Sequence, residues 1–140
     1  MATYNKYQPW AETLVEVAHC GTDQFIVALS NTAGDADATK ATLSQITEIS
    51  YTNLSSRSLT TSSSSQSGGT YSLVLADLVL TASGAVATFR YVITYDDTPT
   101  SPADPLVCWH DYGSGVTLAS GETFTYDLTG GATGTLFTVA

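Results

Sequence analysis

The chain has 140 residues, with 13 acidic against 4 basic side chains and a formal net charge of −9. That length supplies one domain with a single core, and the charge repels phosphate and anionic lipid, so neither nucleic acid nor a membrane surface is an expected partner. Charged residues make up only 12%, about half the usual share, while hydrophobic residues stand at 43%, so neutral Ser and Thr fill the gap. Eight Tyr, four Phe and two Trp, with many Val, Ile and Thr, exclude an acidic disordered chain and favour a β-rich domain.

The opening MATYNKYQPW lacks the apolar stretch of a secretory signal, and runs such as Phe25 to Leu29 are too short to span a bilayer. The chain is therefore expected in a cytoplasm, where Cys20 and Cys108 stay reduced and buried. In chain order, Pro9 suits a first helical position. Trp10, Leu14, Val17 and Ala18 then recur at helical spacing until Gly21, which predicts one short helix. From Gln24 the period changes to two, and Phe25, Val27 and Leu29 mark a buried strand. Asn31 to Thr42 has no apolar period and reads as an exposed loop.

Leu43 and Ile46 suggest a turn of helix or an edge segment, and Glu48 to Leu54 and Arg57 to Thr61 read as strand-like pieces. The run Thr60 to Gly69 (TTSSSSQSGG) is low-complexity and reads as flexible, a loop tip or hairpin end. Tyr71, Leu73 and Leu75 share a strand face, but Leu78 and Leu80 resume three residues later, which predicts a bulge or bend at Ala76 and Asp77. After the Ser83-Gly84 turn, Phe89, Tyr91, Ile93 and Tyr95 alternate as a hairpin partner of the preceding strand. Asp96 to Pro105 (DDTPTSPADP) must be an irregular excursion. Leu106 to Tyr112 recovers strand character, Gly113 to Gly115 reads as a turn, and Val116 with Leu118 as a short strand. Phe124, Tyr126 and Leu128 form another strand, and Leu136 to Val139 closes the chain. About eight short strands with regular turn signals predict an all-β, jelly-roll-like two-sheet sandwich with one short N-terminal helix. It is expected as a single domain, 1–140, with an arm and helix over 1–21 and the sandwich over 22–140.

No arrangement of residues carries a recognisable chemistry. His19, Cys20, Cys108 and His110 are the only soft ligands, and their spacing does not match structural zinc. Cys108, His110 and Asp111 invite a Cys-His-Asp reading, but neighbours on one strand splay apart and no oxyanion turn accompanies them. Asp96, Asp97, Asp104 and Asp111 lack a calcium-loop pattern, as do Asp35 and Asp37, and read as turn formers. Glu12 and Glu16 read as a solvated helix face, and Arg57 and Arg90 as structural ion-pair partners. No enzyme activity, metal or cofactor is expected. What remains is surface. Few lysines protect the sheet edges, so edge pairing or assembly is expected. Tyr4, Tyr7, Trp10, Trp109 and Tyr112 are candidates for a partner interface, the alternative being that they pack on their own domain.

Several phrases occur together and in order: YNKYQPWAETLVEVAH, ITEISYTNLSSRSLTT, TASG leading into FRYVITYDDT, DPLVCWHDYG, and LASGETFTYDL. Over most of its length the chain resembles the cement, or decoration, proteins of tailed bacteriophage capsids. The resemblance implies a jelly-roll subunit made in a bacterial host cytoplasm, carried on the outside of the virion, paired or grouped as a homodimer or homotrimer, and contacting the major capsid protein. It implies no catalytic residue. Two other functions are weighed with it: a carbohydrate-binding module stacking sugars on exposed Trp10, Trp109, Tyr95 and Tyr112, and a tail or baseplate component of the same fold.

Overall fold

A computed structural model describes residues 2–140; Met1, at the tip of the expected arm, lies outside the described residues. Two layers of antiparallel strands face each other, and each layer follows from the alternation in the sequence. The first is a four-stranded sheet in the order β1 (Thr3–Lys6), β7 (Leu106–Leu118), β6 (Val86–Asp96), β2 (Phe25–Ser30). The second layer comprises β3 (Thr61–Ser67), β4 (Thr70–Ala76) and β9 (Thr133–Val139) in one sheet, and β5 (Leu78–Thr81) with β8 (Thr123–Tyr126) in another. A single α-helix, α1 (Trp10–Glu16), joins β1 to β2.

The pairing is nested. β4, β5 and β6 run against β9, β8 and β7 in turn, with Ala76 opposite Thr133, Leu78 opposite Tyr126 and Val86 opposite Leu118. A long two-stranded ribbon folded over on itself in this way is the winding of a jelly roll. The slip in alternation at Ala76 and Asp77 is where the chain leaves one sheet for the other, and the Asp77 N–H is taken up by Ala132 O at 3.1 Å.

Between the layers lies the main core, in which Trp10, Phe25, Val27, Leu29, Leu73, Leu75, Leu80, Phe89, Tyr126 and Leu136 are buried. The opposite face of the four-stranded sheet is also dry. Tyr7, Ala28, Tyr91, Ile93, Tyr95, Leu106 and Trp109 form a second cluster there, covered by Ala36, Ala38, Leu43 and Ile46. Both faces of β2, and of β6 from Tyr91 onward, are thus largely buried, which explains the apolar runs there. Buried Asp35 pins the covering segment: it accepts from Ser30 Oγ at 2.5 Å, Lys40 Nζ at 2.6 Å and the Thr47 N–H at 3.0 Å. Burial opposes its ionisation, but these bonds prevail and hold the carboxyl below its ordinary range.

Several segments depart from expectation, each for a visible reason. The serine run is strand β3, closed onto β4 by Gly68 and Gly69, whose φ of +57° and +84° suit a two-residue hairpin turn. Residues 48–54 and 57–60 form no strand; single bridges from Glu48, Leu54 and Ser58 hold them along β2 and beside β5. β6 pairs with β2 and β7, not with β5 before it. Gly113 to Gly115 is no turn, because β7 continues through it with a shifted register and Gly113 at φ +81°. The segment 31–42 is a loop, yet it turns Asp35, Ala36 and Ala38 inward. The arm contains β1, with Tyr4 opposite His110, and the count of strands among the described residues is nine. Finally, α1 stops at Glu16 because the Ala18 N–H, which would reach Leu14 O in a continuing helix, bonds to Thr13 O at 2.9 Å instead.

Candidate functional site

The residues with chemical potential serve the fold. Cys108 is wholly buried, and burial pushes its thiol up to about 12, far from a thiolate at neutral pH. His110 lies on the same side of β7, with Nδ1 3.0 Å from the Tyr126 hydroxyl, which in turn lies 3.1 Å from Thr94 Oγ1. Burial pushes the imidazole down to about 4, so it is neutral. Asp111 is engaged elsewhere, accepting both Arg90 Nε at 2.7 Å and an Arg90 terminal nitrogen at 2.9 Å. The three residues therefore share a strand without sharing a site. Cys20 and Cys108 are both free, and burial raises Cys20 to about 11. Among the described residues no three of His, Cys, Asp or Glu gather as metal ligands.

The predicted interface aromatics are mostly interior. Tyr7 is buried, donates its hydroxyl to Asp35 O at 2.8 Å and lies against Trp109, ring centres 4.7 Å apart. Trp10 packs edge-on against Phe25 and Phe137 in the main core. Trp109 belongs to the second core and is buried with Tyr95. Their apolar faces were read as available to a partner or a sugar ring because sequence alone does not show which strand face is covered; here both are. Tyr112 is half-buried against Phe124, and Tyr4 is the one of the five that is exposed. The carbohydrate reading thereby loses its row of stacking rings: of Trp10, Trp109, Tyr95 and Tyr112, only Tyr112 is even half-open.

A different surface stands out, built by α1, β1 and β9. Two hollows of about 550 and 250 Å³ adjoin there and share Leu14, Val15 and Val139. The larger is walled by Ala18, Cys20 and Tyr71, the smaller by Tyr4, Trp10 and Phe137. Val15 forms the ridge between them and is 83% exposed; Val139 is 43% and Tyr4 37% exposed. Sequence reasoning reached Tyr4 but missed Val15 and Val139, whose only signal was an apolar residue on the outer side of a short helix and another at the end of an edge strand.

Backbone hydrogen bonding completes the site. The outer edge of β2 is covered by residues 49–59 through the pairs Ile49 N–Leu29 O, Val27 N–Arg57 O and Leu59 N–Phe25 O. No such cover reaches the outer edges of β1 or of β9 beyond Gly134 among the described residues. Lys40, Arg57 and Arg90 are ion-paired with Asp35, Glu48 and Asp111, whereas Lys6, at the rim of the smaller hollow, has no ion pair among the described residues. The face can thus offer apolar area, open strand edges and one cation, which is the equipment of a docking surface. Comparison with protein-family models, curated proteins and solved structures finds no match to the chain.

Proposed function

We propose that the protein is a virion structural subunit that binds the exterior of a tailed-phage capsid and cements neighbouring major capsid subunits. The observation that carries the reading is the α1–β1–β9 face, where Val15 is 83% exposed beside two uncovered strand edges. Apolar side chains at an open edge are a liability for a free monomer and an asset for one that docks. The resemblance supplies the shell as the surface. Copies, paired or grouped in threes, bury this face across the joints between capsid subunits. Contacts repeated around a symmetric lattice then add by avidity, and no bond is made or broken. The net charge of −9 is consistent with a place outside a shell filled with DNA.

The test is the copy number in gradient-purified virions of the source phage, measured by quantitative mass spectrometry against the major capsid protein. A simple fraction of the capsid subunits is expected. A handful of copies would assign the protein to the tail, and its absence from particles would refute a virion role.

A further inference from the structure

Behind the larger hollow, two carboxyl groups meet in the protein interior. Asp96, at the end of β6, is fully buried; its Oδ1 accepts the Thr98 N–H at 3.2 Å, and its Oδ2 has no partner. Asp23, also buried, stands two residues before Phe25, the cross-strand partner of Asp96, which places the two residues diagonally across the end of the β2–β6 pair, and it accepts the His19 N–H on its own Oδ2 at 2.6 Å. Ionised carboxylates only accept, so two of them can bond to each other only through a proton. Among the described residues no third metal-ligating side chain joins the pair, so a metal ion would lack the ligands it needs. Asp97 and the Cys20 thiol do not come close enough to complete a metal site and act on Asp96 through charge alone, which disfavours a second negative group there.

We propose that Asp96 keeps a proton and donates it to Asp23, and that this proton latches the turn at residues 19–23 onto the base of the 97–105 excursion. Burial first, and then the Asp23 carboxylate, push the Asp96 carboxyl up to about 7. The latch is therefore closed in mild acid and opens as the pH passes neutrality, the closed fraction falling about tenfold per pH unit beyond. Gln24 N–H to Thr98 Oγ1 at 2.8 Å and Asp97 N–H to Gln24 O at 2.8 Å carry the opening to the flanking backbone. The same turn walls the larger hollow through His19, Cys20, Gly21 and Thr22. The inference rests on the fold and stands whether or not the face docks on a capsid.

The experiment uses the isolated full-length protein, labelled with carbon-13 at aspartate carboxyls, titrated by NMR between about pH 5 and pH 9. One carboxyl should titrate near neutrality and vanish from that range in Asp96→Asn. Amide exchange of His19, Gln24 and Asp97, corrected for intrinsic base catalysis, should lose protection about tenfold per unit above neutral pH in the native protein. It should stay flat in Asp96→Asn, whose amide donates to Asp23 without a titrating proton. Asp23→Asn, read by the same titration, should lower the Asp96 carboxyl only in part, since its burial remains. All aspartates titrating in that ordinary range, or exchange independent of pH in the native protein, would overturn the latch.

Discussion

Acidification of the Asp96→Asn protein isolates a second buried group, His110. The residue is 7% exposed, and its Nδ1 shares a hydrogen bond with the Tyr126 hydroxyl, which is bonded in turn to Thr94 Oγ1. A second proton would place a positive charge on the ring in a dry site, and burial alone opposes it. Burial lowers the folded-state value to about 4, against 6.5 for an ordinary histidine. The unfolded chain therefore binds a proton first as the pH falls. The stability contributed by neutral His110 is complete above pH 6.5 and is lost on descent through pH 4, a change of about 3 kcal/mol. Asp96 acts with the opposite sign. Its folded value near 7 lies above the ordinary carboxylate value of 3.8, so its contribution is largest in acid and is lost as the pH rises through neutrality. The two slopes oppose each other over the same window and flatten the profile of the native protein. Urea unfolding of Asp96→Asn at pH 7 and pH 4 should reveal the histidine slope, a loss of about 3 kcal/mol. The double variant with His110→Gln should lose that much less, since other carboxylates titrate alike in both. Equal losses in the single and double variants would refute the assignment of the slope to His110.

The remaining predictions concern surface and packing. Val15→Glu alters a side chain that is 83% exposed, so unfolding should shift by no more than about 0.5 kcal/mol, while binding to shells lacking the protein, followed by co-sedimentation, should fall sharply. Undiminished binding would move the docking face elsewhere. Gly134→Ala places a methyl group 2.4 Å from Leu128 Cβ and 3.1 Å from Thr129 N, a clash with little room to relax; denaturant unfolding should show a loss of about 1–3 kcal/mol.

Segments whose side chains alternate between core and solvent, or fill two cores at once, were legible in the sequence. β2, β4, β6 and β8 lie where Phe25 to Leu29, Tyr71 to Leu75, Phe89 to Tyr95 and Phe124 to Leu128 placed them, except that β8 ends at Tyr126 and leaves Leu128 outside the strand. β3 was not legible, because its serines face water and its structure resides in backbone bonds to β4; the one usable sign was the Gly68-Gly69 pair. Residues 48–60 have strand-like composition, but β2 already pairs with β6 and single bridges suffice to cover its other side. The candidate site was hardest to see. Whether Trp10 and Trp109 are buried depends on which elements cover each face of β7 and α1, and that is settled by pairings far apart in sequence, such as Tyr4 with His110 and Leu73 with Phe137.

The uncovered edges are not equivalent. β3 presents only hydroxyl and amide side chains, well hydrated, and its register breaks between Thr61 and Ser63, which bends an incoming strand away. β1 is four residues long and ends in Lys6, a charge of the kind that discourages pairing. β9, with sequence TGTLFTV, has no charge and no proline, and its register break between Leu73 and Val74 lies on the side paired with β4. It ends at Val139, beside the Val15 ridge and the mouths of both hollows. An open edge continuous with exposed apolar surface is the combination that monomers avoid, since backbone pairing and apolar burial then reward the same contact. β9 with α1 is therefore where a cover is most needed, and a partner that adds a strand there gains both terms at once.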